Sequence, residues 1–320
     1  MKMNRIISIA IGILLCTGLH AQIPAAPVIK YSDFQINRQP QVPEYIVFAG
    51  DTVRFDTAER RERMDREILT FCYMHSTSLL MIKRANRYFP QIEPLLKAGG
   101  IPDDLKYLMV IESNLDPKAL SSAGAAGLWQ FMKASGKEYG LHIDSEVDER
   151  YHEKKATQAA CKYLRDSYAK YKDWMTVAAS YNAGQAGISK RLESQKQKSA
   201  MDLWLVEETA RYMYRVMACK MYFENPSAFG FAFTPDMLYP YVPIKEEVRV
   251  DGGIPSLVDF AIEHGVTYAD LKRANLWLRD DKLTNKEGRT YYIAIPDVKA
   301  EKNDPSKTKV HSLAWLYRPI

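Results

Sequence analysis

The chain has 320 residues, of which 47% are hydrophobic and 26% charged, and its formal net charge at pH 7 is +5. This is an ordinary globular composition with room for one large domain and a small one, so extensive disorder is not expected. No dense run of Lys and Arg with interleaved aromatic residues occurs, which disfavours nucleic acid as a partner.

The first residues have the pattern of a secretory leader. Two cations precede a short apolar run, and small residues follow it up to Ala21, which predicts a signal peptide over 1–21. Leu15 stands before Cys16, where bacterial lipoproteins have a small residue, so a soluble exported protein is favoured over a lipid-anchored one. Because the leader holds two cations and no acid, its removal lowers the net charge from +5 to +3. The expected location is the periplasm, with outer-membrane association as a further possibility.

An arm and a helical lead-in come next. Residues 22–55 hold four prolines, at 24, 27, 40 and 43, and are expected to form an extended arm on the surface. Asp56 and Glu59 have the spacing of a capping box and predict the start of a long helix, on which His75 is a packed core residue. After Arg84 the long helix is expected to break, and a shorter helix follows and ends at the glycine pair 99–100.

The central helix places a carboxyl group on its apolar face. Pro102 suits a first helical position, and two aspartates follow in the first turn. Apolar residues then recur at helical spacing, and the next position on their stripe is Glu112. Asn114 and Pro117 end the helix, so burial and the negative helix end should both raise the pKa of Glu112, as a general acid requires. On spacing alone, a solvated glutamate at a helix end is the alternative.

The segment after this helix combines a loop with an aromatic and an amide side chain. Ser121, Gly124 and Gly127 exclude a helix. Trp129 and Gln130 then follow within an apolar run. Such a mixture is typical of a carbohydrate-binding cleft.

Further helices are predicted downstream. The segment VDERYHEKKATQAACKYLRDSYAKY and the segment Trp174–Gly184 both carry small residues that permit close packing. Tyr181, taken alone, is either a cleft residue or an ordinary packed aromatic. Glu208 and Tyr212 lie on a later helix.

Three cysteines follow the leader, in helix-like apolar patterns: Cys72, Cys161 and Cys219. None has CxxC spacing or a Cys/His metal pattern, which favours buried free thiols. One disulfide among them stays open as an alternative.

The C-terminal part reads as a small α+β module. A proline-rich linker over 225–243 precedes a module over 244–297 and a tail over 298–320. The predicted order is βααβ, from these segments: a strand at Val248 and Val250, helices over Ser256–Glu263 and Thr267–Asn275, a turn at Gly265, and a strand over Tyr291–Ile295.

The central segment resembles the signature of family 1 lytic transglycosylases, the SLT domain. The matching residues are Glu112, Ser113, Pro117, Ala119, Ser121, Gly124, Ala125, Gly127, Trp129, Gln130 and Phe131. The segment GAAGLWQF and the helical segment ahead of the central helix are most similar to the membrane-bound transglycosylase D branch of this family. Tyr181 and Asn182 match the family's Tyr-Asn-Ala-Gly motif, and Glu208, Thr209 and Tyr212 resemble its Glu-Thr-x-x-Tyr motif. The C-terminal module resembles LysM, which binds N-acetylglucosamine chains.

The resemblance implies a mainly α, lysozyme-like (goose-type/SLT) catalytic domain within residues 56–224, with its core at about 98–224. It implies cleavage of the β-1,4 bond between N-acetylmuramic acid and N-acetylglucosamine in peptidoglycan glycan strands. Glu112 would be the catalytic residue, acting first as acid and then as base, with no metal or cofactor. The substrate-binding residues would be Ser113, Ser121, Gln130, Met132, Tyr181, Asn182, Glu208 and Tyr212.

The sequence departs from the family pattern at several places. The family has Asp-Pro at His152-Glu153, and proline at Val206 and commonly at Tyr214. Residues 253–255 replace the Gly-Asp-Thr of LysM, so a structural cap is an alternative to a sugar-binding role for the module.

Two other functions stay open. Ordinary glycosidases use two carboxylates, whereas the signature offers one, since Asp116 stands at a helix-stopping position that suits capping. A goose-type lysozyme would share the fold and use water as the nucleophile. A catalytically silent protein that only holds glycan is the second alternative, and the intact Glu112 and Gln130 argue against it.

Overall fold

The structure, a computed structural model, describes residues 39–300 and 308–317. Helices dominate these residues, and the strands form two antiparallel pairs, so the predicted mainly helical fold is confirmed. The predicted signal peptide and the first part of the predicted arm lie outside the described residues. Within the described ranges, no helix is both long and apolar enough to cross a bilayer.

A β-hairpin forms at the end of the predicted arm, where no regular structure was expected. Strands β1 (Tyr45–Phe48) and β2 (Asp51–Arg54) pair antiparallel. Ala49 and Gly50 connect them with φ angles of 54° and 94°, the positive values that a tight hairpin turn needs. The side chain of Phe48 is fully buried in the main core.

Two long helices form the lead-in. Helix α1 (Ala58–Tyr73) starts one residue later than predicted, because the hydroxyl of Thr57, and not the carboxylate of Asp56, accepts the N–H of Arg60. Helix α2 (His75–Ala98) is continuous through two prolines, so the predicted break after Arg84 is wrong. His75 opens α2 and is exposed, so the prediction of a packed core histidine is also wrong.

Six helices complete the helical part: α3 (Lys106–Ser113), α4 (Lys133–Glu138), α5 (Glu153–Tyr171), α6 (Trp174–Ala183), α7 (Gln185–Gln195) and α8 (Glu207–Glu224). Small residues allow α6 to be buried on most of its surface, and Gly184 ends it with φ 79°. Helix α8 packs between α1, α3 and α6. The cysteines at 72, 161 and 219 are buried free thiols, as predicted.

The predicted βααβ order of the C-terminal module is confirmed. Strand β3 (Ile244–Val250) pairs antiparallel with β4 (Tyr291–Pro296), and helices α9 (Leu257–Glu263) and α10 (Tyr268–Ala274) lie between them in sequence. Thr267 and Asp270 form a capping box at the start of α10.

The module shares a hydrophobic core with the loop that precedes α5. Val147 and Tyr151 of that loop are buried with residues of the module. The backbone N–H of Asp148 donates to Trp277 O at 2.8 Å, and that of Arg279 donates to Glu146 O at 2.7 Å. These two bonds define a seam between module and helical part.

The C-terminal tail packs on the helical part. Trp315 is 2% exposed in the main core, and its indole N–H donates to the carbonyl of Phe223 at 2.8 Å. The buried amide of Asn86 on α2 bonds to the backbone of Lys309 and His311. The tail therefore closes over α2 and α8.

Candidate active site

Glu112 lies in the last turn of α3, as the sequence predicts. The helix ends because Asn114 adopts φ 50° and its N–H donates to Val110 O. The carboxyl group is partly buried, and the phenol of Tyr212 donates to its Oε1 at 2.7 Å. Burial raises the pKa of Glu112 to about 7, against the lowering effect of the Tyr212 hydrogen bond and with a smaller raising effect from the charge of Glu208.

This pKa fits a group that must hold a proton near neutral pH and then release it. The upward shift of the Glu112 pKa agrees with the sequence prediction, and burial is the main cause both in the prediction and in the structure. The second cause differs from the predicted one: the pKa is raised further by the exposed carboxylate of Glu208 on α8, whereas the predicted cause was the negative helix end.

Tyr212 and Tyr181 come from two different helices and meet near Glu112. Tyr212 is buried on α8, and its pKa is raised well above its usual range by burial and then by the charge of Glu112. Tyr181 on α6 donates its hydroxyl to Trp129 O at 2.7 Å and also has a strongly raised pKa, with burial as the first cause and the charge of Glu112 as the second. Both phenols are therefore neutral donors beside the candidate acid.

The signature loop, residues 114–132, is held by its own polar side chains. The hydroxyl of Ser121 accepts the N–H of Ala125 at 3.0 Å. The side-chain amide of Gln130 donates to Ala119 O and Gly127 O at 3.2 and 2.8 Å. Ser121 and Gln130 thus fix the loop whether or not they touch a ligand.

Gly127 and Arg150 explain why this loop has one shape. Gly127 has φ 75°, and a Cβ there would lie 2.0 Å from the carbonyl oxygen of Arg150, so only glycine fits. The buried guanidinium of Arg150 donates to Gly124 O and Phe131 O at 2.7 and 3.0 Å, and it pairs with Asp148. Sequence reasoning missed Arg150, for which the acid two residues earlier was the only signal.

Helices α6 and α8 are joined at the edge of the site. The hydroxyl of Thr209 donates to Asn182 Oδ1 at 2.9 Å, and Glu208 beside it faces solvent. Thr209 was not predicted as a site residue, although it stands within the motif that includes Glu208. This bond fixes the side chain of Asn182.

Two predicted substrate contacts differ in accessibility. Ser113 is buried, and its hydroxyl donates to Met109 O at 3.1 Å within α3. Met132 is 44% exposed where α4 begins. Asp116, the rival carboxylate, accepts the N–H of Lys118 at 3.0 Å in the turn after α3 and lies 3.8 Å from Arg84. The expected helix-capping role is not seen, because Asn114 ends α3.

Comparison with known proteins assigns this arrangement to a family. Residues 91–203, which include Glu112, Gln130 and Tyr181, match the family model of the transglycosylase SLT domain. Residues 91–203 form a transglycosylase SLT domain. Following the SLT domain, residues 246–299 match the soluble lytic transglycosylase C-terminal LysM-like domain.

Several known proteins are similar to part of this chain in sequence or structure. Membrane-bound lytic murein transglycosylase D of Escherichia coli is 29% identical over 191 residues, which are 57% of this chain and 41% of that protein. The match thus spans less than half of the relative's length. The soluble lytic transglycosylase SLT70 of Escherichia coli has a TM-score of 0.37 and 21% identity over 43% of this chain and 24% of its own. Lytic transglycosylase Slt of Pseudomonas aeruginosa, in an inactive mutant form, has a TM-score of 0.37 and 19% identity over 42% and 24%.

Proposed function

We propose that the protein is a peptidoglycan lytic transglycosylase, which cleaves the β-1,4 bond between N-acetylmuramic acid and N-acetylglucosamine and leaves 1,6-anhydro ends. The observation that carries the proposal is one partly buried carboxyl group, Glu112, whose pKa is about 7 and which Tyr212 orients at 2.7 Å. The SLT domain match over 91–203 supports the same activity.

One group performs both proton transfers in this proposal. Glu112 gives its proton to the glycosidic oxygen as the bond to C1 breaks, which releases the N-acetylglucosamine side as an alcohol. The resulting carboxylate then accepts the proton of the muramic acid 6-hydroxyl while that oxygen attacks C1. The carboxyl group is protonated again at the end, so no water is consumed.

The carboxylates around Glu112 support an internal nucleophile. Asp116 is committed to the N–H of Lys118 and to Arg84, and the carboxylate of Glu208 is exposed. A hydroxyl held beside C1 can reach effective concentrations on the order of 10⁵ M or more, far above that of water without a base. The single acid therefore favours ring closure over hydrolysis.

The substrate contacts are part of the same proposal. Gln130, Ser121, Met132 and Asn182 would line the glycan path, with amides and hydroxyls that suit N-acetyl groups. The contribution of Ser113 would be indirect, since its hydroxyl is bonded within α3.

We also propose that the protein is exported to the periplasm, on the basis of the leader pattern over 1–21. The LysM-like module would bind glycan there and bring the helical part close to the cell wall.

Mass spectrometry of digested sacculi tests the activity. The main muropeptides should be 1,6-anhydro species, which are lighter than hydrolysed ones by one water. Glu112→Gln should abolish them because an amide of the same size cannot carry the proton, whereas Asp116→Asn should retain turnover. Heavier, reducible products would indicate a lysozyme, and sacculus binding without any product would indicate a silent glycan-binding protein.

A further inference from the structure

The segment that leads into α8 presents one tryptophan to solvent. Trp204 is 82% exposed, and Val206 beside it is 58% exposed. The backbone around them is extended, so side chains alternate, and Leu203 and Leu205 turn toward the main core. The indole is therefore held outward by the packing of its neighbours.

This segment is fixed from several sides. The side-chain amide of Gln195 accepts the N–H of Trp204 at 2.7 Å and donates to its carbonyl at 2.9 Å. Asp202 pairs with Arg60 at 2.7 Å, and Glu207 pairs with Arg66 at 2.6 Å, both on α1. A rigid backbone leaves only two side-chain rotations to lose when the ring meets a ligand.

Trp204 lies close in sequence to the first turn of α8, which belongs to the candidate active site. Three residues after Val206, Thr209 donates to Asn182, and the charge of Glu208 acts on the pKa of Glu112. The exposed ring thus lies a few residues ahead of the helix that carries Glu208, Thr209 and Tyr212.

The surroundings of the ring indicate a neutral ligand of small area. The nearest charged residues along the chain, Asp202 and Glu207, are already paired with arginines. One indole with one valine is far less apolar surface than a stable protein interface needs, which is above about 1,000 Å². A pyranose ring fits better, because its axial C–H groups form an apolar face that covers an indole while its hydroxyls stay in water.

We propose that Trp204 forms a glycan subsite, on which the apolar face of a sugar ring stacks at a distance from the bond that is cleaved. The inference rests on the proposed transglycosylase function. Strands long enough to span Glu112 and Trp204 benefit from the subsite, and fragments that reach only Glu112 do not.

Kinetics on glycan strands freed of stem peptides by amidase treatment test the subsite. Trp204→Ala should raise KM for long strands about tenfold, a loss of about 1.4 kcal/mol of binding free energy, with kcat unchanged. Trp204→Phe should restore most of the affinity, and KM for the shortest cleaved fragment should not change. Tyr73→Ala, which removes a 58% exposed aromatic from the end of α1, is the matched control and should behave as wild type. Equal KM for Trp204→Ala and wild type on long strands would overturn the proposal.

Fluorescence gives a direct readout, because the other tryptophans are buried: Trp129, Trp174, Trp277 and Trp315. Iodide should quench Trp204 alone in the Glu112→Gln variant, and long strands should protect it. Strands that bind by calorimetry and leave quenching unchanged would overturn the subsite while the proposed activity stands. If wild type neither cleaves nor binds the strands, the proposed function itself fails.

Discussion

The carboxyl group of Glu112 is controlled by two side chains of α8 that act in opposite directions. The phenol of Tyr212 donates to it and lowers its pKa, whereas the negative charge of Glu208 raises it. Burial outweighs both and leaves the pKa at about 7. The proton needed for the first step is therefore available near neutral pH, and small changes at α8 should move the pH range of activity.

The alkaline limb of the pH–kcat/KM profile should shift in opposite directions in two variants. Tyr212→Phe removes the donor that stabilises the carboxylate, so the pKa of Glu112 rises and the limb moves to higher pH, with a lower maximum because orientation is lost. Glu208→Gln removes a neighbouring negative charge, so the limb moves to lower pH. Rates on soluble strands between pH 4 and 10 measure both limbs, and shifts in the same direction would contradict this account of the site.

Glu112→Gln should also change how stability depends on pH. The pKa of Glu112 is about 7 in the folded protein and about 4.3 in an unfolded chain, so folding binds a proton between these values. Its stabilising contribution is complete below about pH 4 and is lost as pH rises through 7. The free energy of unfolding of Glu112→Gln minus that of wild type should therefore increase by about 1 to 3 kcal/mol from pH 5 to pH 8.

Urea unfolding of both proteins at the two pH values gives this difference. Glu153, whose pKa burial also raises to about 7, titrates in both proteins and cancels. A difference that does not vary with pH would mean that Glu112 is not buried enough to hold its proton.

At the scale of elements, α1 holds α8 through one buried acid. Glu67 is 0% exposed and lies 2.7 Å from Arg211 and 3.1 Å from Arg215 on α8, and Arg66 is 3.6 Å away. Tyr212 stands between the two arginines in sequence. This pairing sets the rotation of α8 about its axis, and with it the direction in which the phenol points.

Glu67→Ala should be strongly destabilising, since it leaves the partly buried Arg211 and Arg215 without their paired carboxylate. The expected loss is about 3 kcal/mol in the free energy of unfolding. Glu59→Ala removes an exposed pair with Arg63 on the same helix and should cost less than about 1 kcal/mol. Denaturant unfolding at pH 7 compares the two, and equal losses would contradict the role assigned to Glu67.

The sequence predicts these elements unevenly, for physical reasons. Local rules suffice for the end of α3 and for the module, because Asn114, Thr267 and Gly265 define a helix end, a helix start and a turn within a few residues. The predicted start of α3 at Pro102 is wrong, since a 3-10 turn over Asp103–Leu105 comes first and α3 begins at Lys106. The break at Met74 and the continuity of α2 through Pro90 depend on packing between helices, which spacing does not reveal. The position of Glu112 can be predicted from the pattern of its own helix. Arg150 holds the signature loop and Glu67 holds α8, and both are distant in sequence from Glu112, so spacing along the chain does not reveal them.

At the scale of the whole molecule, the end of the chain contributes to the core of the helical part. Trp315 contacts Phe89 and Phe223, and its N–H bonds to the latter's carbonyl. A chain that ends at Pro243 would lose this residue together with the module. Sugar binding by the module is therefore better tested by substitutions within 244–297 than by truncation.

Trp315→Ala should destabilise the protein by about 3 to 5 kcal/mol, the usual cost of removing a large buried aromatic side chain. Tyr317→Ala, two residues later and 58% exposed, should change stability by less than about 0.5 kcal/mol. Thermal unfolding of the full chain measures both. A small effect of Trp315→Ala would mean that the tail does not stay docked on α2 and α8.

The seam between module and helical part has a consequence for hydrogen exchange. The amide protons of Asp148 and Arg279 are held by carbonyls across the seam, at 2.8 and 2.7 Å. Each can exchange with solvent when the module leaves its place, even while both parts stay folded. Their protection, set against that of amides within α6, separates the free energy of undocking from that of global unfolding. Because Asp148 also pairs with Arg150, which holds the signature loop, undocking of the module uncovers the residue that supports that loop.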